Sequence, residues 1–188
     1  MVLSLALTAW AAVTTLVSAS FLASHLLTLP LPDQKDPRLA AAVADVTPNA
    51  TWSLLHALSS ECRCSAAVLE HLMTTERPPG VTETVVLVGP PGDIEARVRA
   101  KGFGFVSLTA EELDSRYHIP AVPVLVIADP SGTIRYSGGY TPRKQGPEVQ
   151  DLAILGEVRR GETPDSLPLF GCPVNTALRD SLTPIGLR

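Results

Sequence analysis

The chain opens on an apolar and small-residue run, Val2 to Leu29, that ends at Pro30-Leu31-Pro32. A run of this kind has no polar face to offer water, and about 20 apolar residues cross a hydrocarbon core. Residues 1–32 therefore predict one N-terminal transmembrane helix, a membrane anchor. A cleaved signal segment is the rival reading: Val17-Ser18-Ala19 is a small-residue cleavage site after an apolar stretch, although no Lys or Arg precedes that stretch. Beyond it the pattern breaks into short blocks. Residues 33–46 read as a linker in which the Ala-rich Leu39–Val46 is helix-prone. Thr51–Leu58 is a short apolar run with the length of a buried strand, and Cys62–Met73, after the turn Ser59-Ser60-Glu61, has amphipathic helical spacing. Arg77-Pro78-Pro79-Gly80 ends that helix.

Thr82–Val88 reads as a second strand, and Gly89-Pro90-Pro91-Gly92 as a turn. Asp93 is placed to cap a helix over Ile94–Lys101, with Gly102 at its C-terminal end. Phe103–Leu108 is a third strand. Thr109 and Glu112 have the spacing of a capping box for a helix reaching Tyr117. Val122–Ala128 is strongly apolar, and Asp129-Pro130-Ser131-Gly132 turns it into a hairpin partner, Thr133–Ser137. Pro147–Arg160 is a last helix, followed by a Pro-rich tail. Early strand–helix alternation implies parallel pairing, and the late hairpin an antiparallel edge. The expected fold class is layered α/β: a mixed central sheet flanked by helices, preceded by the transmembrane helix. The division is 1–32 anchor or signal, 33–46 linker, 47–160 domain, and 161–188 tail.

Composition changes this picture in two places. Of 188 residues 45% are hydrophobic and 18% charged, and every charged side chain follows residue 32. The remainder suffices for one well-buried core, and a monomer is expected. Net charge is −4 and no basic stripe exists, so nucleic-acid binding through phosphate neutralisation is not expected.

The candidate chemistry lies in the three cysteines, Cys62, Cys64 and Cys172. The first two stand where a strand gives way to a helix. There, unpaired backbone N–H groups and the helix dipole favour thiolate over thiol. A redox nucleophile needs this, and Arg63 and His56 are placed to add positive charge. Cys172 lies in Phe170-Gly171-Cys172-Pro173. Prolines stiffen the tail around it, and Leu167, Leu169 and Phe170 give it an apolar surface with which to dock. Docking over the C-x-C site would bring Cys172 to the other two.

The stretch Ile119-Pro120-Ala121-Val122-Pro123-Val124-Leu125-Val126-Ile127-Ala128-Asp129-Pro130-Ser131-Gly132 adds context. Together with the cysteine pair, it resembles the thioredoxin superfamily over about Thr47 to Arg160. The resemblance implies a thioredoxin-like fold, a cis peptide at Pro123, and a substrate groove in which the Val122 backbone pairs with the substrate. Most thioredoxins carry W-C-x-x-C, whereas this chain has Glu61-Cys62-Arg63-Cys64-Ser65. It is more similar to the membrane-anchored, extracytoplasmic TlpA- and RedB-like thiol–disulfide proteins. The implied activity is thiol–disulfide exchange with protein thiols or disulfides, without organic cofactor. Cys62 would attack, and Cys64 or Cys172 would resolve the mixed disulfide. A C-x-C bridge closes a small, strained ring, which makes it more oxidising.

Two other readings share the fold. One is an SCO-like Cu(I) chaperone with Cys62, Cys64 and His118 as a soft three-ligand site. His71 is excluded from that site because it lies about 10 Å along the helix from Cys64. The other is a redox-inert thioredoxin-like scaffold. For location, Lys35 and Arg38 follow the apolar run, a bias that mildly opposes export. Disulfide chemistry is of most use where disulfides persist, so the expected place is the inner membrane, with the C-terminal domain periplasmic.

Overall fold

A computed structural model describes residues 2–26, 28–47, 51–144, 146 and 148–182, with side chains in the first helix for 6–19. The elements follow in the order α1 (Val2–Leu26), α2 (Pro37–Val46), β1 (Trp52–Ser59), α3 (Arg63–Thr74), β2 (Val81–Val88), α4 (Ile94–Ala100), β3 (Gly104–Leu108) and α5 (Ala110–Tyr117). Then come β4 (Ala121–Val122), β5 (Val124–Ala128), β6 (Ile134–Gly138), α6 (Asp151–Arg159), β7 (Cys172–Pro173) and α7 (Thr176–Leu182). The main sheet has the order β3-β2-β1-β5-β6. β1, β2 and β3 pair in parallel, and β5 runs antiparallel to both β1 and β6. This is the mixed α/β sheet that the strand–helix alternation and the hairpin predict.

The strands are apolar on both faces because helices cover both faces. Leu55, Ala57, Val86, Val124 and Val126 face one core with Leu39 and Val43 of α2 and Leu113 and Tyr117 of α5. Their neighbours Leu54, Leu58, Val85, Leu87, Leu125 and Ile127 face the other, with Leu69 and Leu72 of α3, Val98 of α4 and Ile154 and Leu155 of α6. The alternation is the two-residue period of a strand.

Several local readings hold at atomic detail. Thr109 and Glu112 form the capping box: the Glu112 N–H donates to the Thr109 hydroxyl at 3.1 Å, and the Thr109 N–H to the Glu112 carboxylate at 2.7 Å. Asp93 makes no side-chain cap, because its backbone is already helical (φ −88°, ψ −5°) and not in the extended conformation a cap requires. Gly102 follows the cap residue Lys101 at φ +88°, where a residue without Cβ is favoured. The expected single strand Val122–Ala128 is divided by a cis peptide between Val122 and Pro123. The last helix starts at Asp151; of its expected start, Pro147 lies outside the described residues and 148–150 are not helical.

Two segments drawn outside the domain contribute to its core. Leu39, Ala42 and Val43, in the stretch read as linker, are buried, and so are Leu169 and Val174 of the tail. At the N-terminus α1 is a helix of 25 residues. The described side chains, 6–19, rise only about 21 Å, and among the described residues no helix is long and apolar enough to cross a membrane. The expected spanning helix is therefore not shown.

Candidate functional site

β1 delivers the chain to the turn at Ser59–Glu61, and Cys62 caps α3 with an extended backbone (φ −104°, ψ 119°) and no side-chain cap bond. The thiol is left in place of a capping oxygen, beside the unpaired N–H groups of the first helical turn. Cys62 is 1% exposed. Its Sγ lies 3.9 Å from the carbonyl oxygen of Val122, next to the cis proline. All three cysteines are free thiols.

The tail supplies the third sulfur. β7 pairs antiparallel with β4, Cys172 opposite Val122 and Pro173 opposite Ala121. Several bonds hold it there. The Leu29 N–H donates to the Leu169 carbonyl, and the Gly139 N–H to that of Leu167, each at 2.9 Å. The Val174 and Asn175 N–H groups both donate to the Pro120 carbonyl. Asn175 also donates to Asp114 at 2.5 Å. A methyl at Gly171 would overlap the Val122 carbonyl and press on Pro123. The edge expected to receive a substrate strand is thus paired with the chain's own tail.

Charge divides unevenly over the three sulfurs. Hydrogen bonds from the Cys172 thiol, then from Cys64, pull Cys62 far below an ordinary thiol; burial opposes them, and Ser65 adds to them through backbone and hydroxyl. Cys64 and Cys172 are each pushed up, first because each donates to Cys62, then by burial and by the Cys62 charge. Charge is thus favoured on Cys62, and the protons on Cys64 and Cys172. Ser65, which closes the Cys62-Arg63-Cys64-Ser65 stretch, also accepts from the Ser59 N–H at 3.1 Å through its hydroxyl. Gly171 was legible only as the glycine beside a cysteine.

The histidines are engaged elsewhere. His56, fully buried on β1, is held by Tyr140 at 2.8 Å and Glu83 at 2.9 Å. Arg77 joins Glu83 to Asp151, and Asp151 accepts from His71 at 2.9 Å. His118 ends α5 at φ +53°, with Nδ1 2.6 Å from Asp36 and Nε2 2.9 Å from Arg38. The structure does not bring it to Cys62 and Cys64, and among the described residues no cluster of three or more His, Cys, Asp or Glu side chains is arranged to hold a metal ion.

No protein-family model and no curated protein sequence matches the chain. Solved structures do resemble it. A hypothetical protein from Sinorhizobium meliloti 1021 is 14% identical with a TM-score of 0.51, over 80% of this chain and 91% of that one. An uncharacterized conserved protein from Geobacillus kaustophilus is 15% identical with a TM-score of 0.54, over 79% of this chain and 90% of that one. A secreted Mycobacterium tuberculosis disulfide oxidoreductase homologous to E. coli DsbE is 15% identical with a TM-score of 0.44, over 64% of this chain and 98% of that one. At such identities the likeness is one of fold.

Proposed function

We propose that this chain is a thiol–disulfide oxidoreductase working by exchange among Cys62, Cys64 and Cys172. The observation that carries the reading is the buried Cys62 sulfur at the start of α3, 3.9 Å from the Val122 carbonyl beside the cis proline, with Cys172 paired opposite Val122. A thiolate is the attacking species in exchange, and a sulfur with a low pKa is also the better leaving group. Cys64 and Cys172 are the thiols with which Cys62 exchanges. The chemistry needs no organic cofactor. Its partners are protein thiols or disulfides, and not nucleic acid, given the net charge of −4.

The chain works as a monomer tethered to the inner membrane through residues 1–32, with its domain in the periplasm, in the manner of the TlpA- and RedB-like C-x-C proteins. Two observations support the tether. Residues 1–32 hold no Asp, Glu, Lys or Arg. In α1, Leu7, Trp10, Val13, Leu16 and Val17 are all exposed.

The Cu(I) reading has less behind it, because His118 is committed to Asp36 and Arg38. Reduction of insulin by the full chain, with dithiothreitol as donor, tests the proposal. Cys62→Ser should abolish turnover, and turnover at the unaltered rate would sink the exchange chemistry. Thiol titration with and without Cu(I) separates the chaperone reading.

A further inference from the structure

Cys62 is closed to any outside partner, yet each of the thiols beside it faces an opening. Cys64 lines a cavity of about 420 Å³ with Arg63, Ala67, Tyr140 and Phe170. Cys172 lines another of about 500 Å³ with Glu61, Val88 and Arg179. Both are of the size that admits a ligand. Among the described residues the two cavities share no lining residue, and Cys62 lines neither. Pro123 faces the first and Val122 the second. The ribbon of β4 and β7 fills the strand edge at Val122, so a partner cannot add a strand there and must present its sulfur to one of the cavities.

We propose that the protein is a three-thiol relay with two ports: Cys62 is a buried pivot whose disulfide moves between Cys64 and Cys172, so that a dithiol donor and a disulfide acceptor are served at separate openings. This rests on the exchange chemistry proposed above and adds where each partner is met. With the chain reduced, Cys172 attacks the acceptor disulfide and its proton passes to the leaving sulfur, forming a mixed disulfide and releasing the acceptor's first thiol. The Cys62 thiolate then attacks Cys172. The Cys62–Cys172 bond forms, the second acceptor sulfur leaves and takes a proton from water, and the acceptor is reduced by two electrons to its dithiol.

Cys64 next loses its proton and attacks Cys62. The bridge becomes Cys62–Cys64, Cys172 leaves and takes a proton, and no electrons are gained or lost. At the other opening one donor thiolate attacks Cys64 and expels the Cys62 thiolate. The second donor thiol closes the donor's own disulfide and frees Cys64. The sum is donor dithiol plus acceptor disulfide giving donor disulfide plus acceptor dithiol, and the sequence runs in reverse when the partners' potentials are reversed.

The test oxidises the reduced full chain with one equivalent of glutathione disulfide, followed by acid quenching, alkylation and peptide mapping. The expected result is two populations: Cys62–Cys64 with Cys172 alkylated, and Cys62–Cys172 with Cys64 alkylated. Cys62–Cys64 alone, or a Cys64–Cys172 bridge, overturns the relay. Failure to form any bridge overturns the exchange chemistry beneath it. The ports are tested with Ala67→Trp, an exposed position on α3 that lines only the Cys64 cavity. Exchange rates depend on access to the sulfur, so glutathione adducts at Cys64 should form about tenfold more slowly. Those at Cys172 should be unchanged. Equal slowing at both sulfurs, or at neither, overturns the separate openings.

Discussion

At the scale of single residues, the site depends on which sulfur bears the charge. The Cys172 and Cys64 thiols and Ser65 hold Cys62 far below the ordinary thiol value, against burial, which for a free cysteine is about 8.5. A pKa lowered by folding stabilises the folded state above the unfolded value, and that contribution is lost as pH falls through the folded value. The reduced protein should therefore keep one thiolate, seen by its ultraviolet absorbance, well below neutral pH. Cys62→Ser should remove that signal; a chain whose first thiolate appears only above pH ~8 would show that Cys62 is an ordinary thiol. Cys62 was legible because a cysteine at a strand–helix junction is a general electrostatic case. The apolar tail suggests that Cys172 docks at the site, but its register opposite Val122 was not legible, because it depends on the fit of Gly171 against the Val122 carbonyl. Gly171→Ala should loosen that fit, cost about 1–3 kcal/mol in urea unfolding and speed alkylation of Cys172. Unchanged alkylation would mean that the tail is held without β7.

At the scale of elements, the second core is pinned by charge as well as packing. His56 on β1, Glu83 on β2, Arg77 in the loop after α3, Asp151 on α6 and His71 on α3 form one network beneath the sheet. β1 and β2 are legible as apolar runs, and the helix between them implies their parallel pairing. The sequence did not show that His56 and Glu83, 27 residues apart, would meet; His56 read instead as a charge beside the thiols. Strand alternation explains the outcome: with Leu54 and Leu58, His56 faces α3 and α6. Burial would raise the Glu83 carboxyl, but hydrogen bonds from His56 and Arg77 outweigh it and hold it at about 2. Stability from Glu83 is thus complete above the ordinary carboxylate value and lost as pH falls from about 4.5 toward 2. Glu83→Gln leaves Arg77 short of a partner and should cost about 3–5 kcal/mol at neutral pH, with a flatter acid limb in urea titrations. A variant as stable as the parent, with the same acid limb, would show that the network is held without the Glu83 charge.

At the scale of the whole molecule, the two ends of the chain meet beside the site. The residues that follow α1 do not hang free. Leu29 is buried, its N–H donates to Leu169 three residues before Cys172, and the Pro32 carbonyl accepts from Ser137. Composition marks 47–160 as the domain because charge and proline change there, whereas Leu29, Leu39 and Leu169 show their role only once packed. The full chain should need detergent, because the exposed apolar face of α1 has no cover within the described chain. A chain beginning at Thr28 should stay in the aqueous phase as a monomer, and recovery of uncleaved full-length protein without detergent would refute the tether. A chain beginning at Asp33 separates tethering from docking. It lacks the same helix but also Leu29, whose burial contributes about 1.5–3 kcal/mol at most. Compared with the chain from Thr28, it should be equally soluble, less stable, and faster to alkylate at Cys172 but not at Cys64. Equal alkylation at Cys172 in the two shortened chains would show that the Leu29 contact does not hold the third thiol in place.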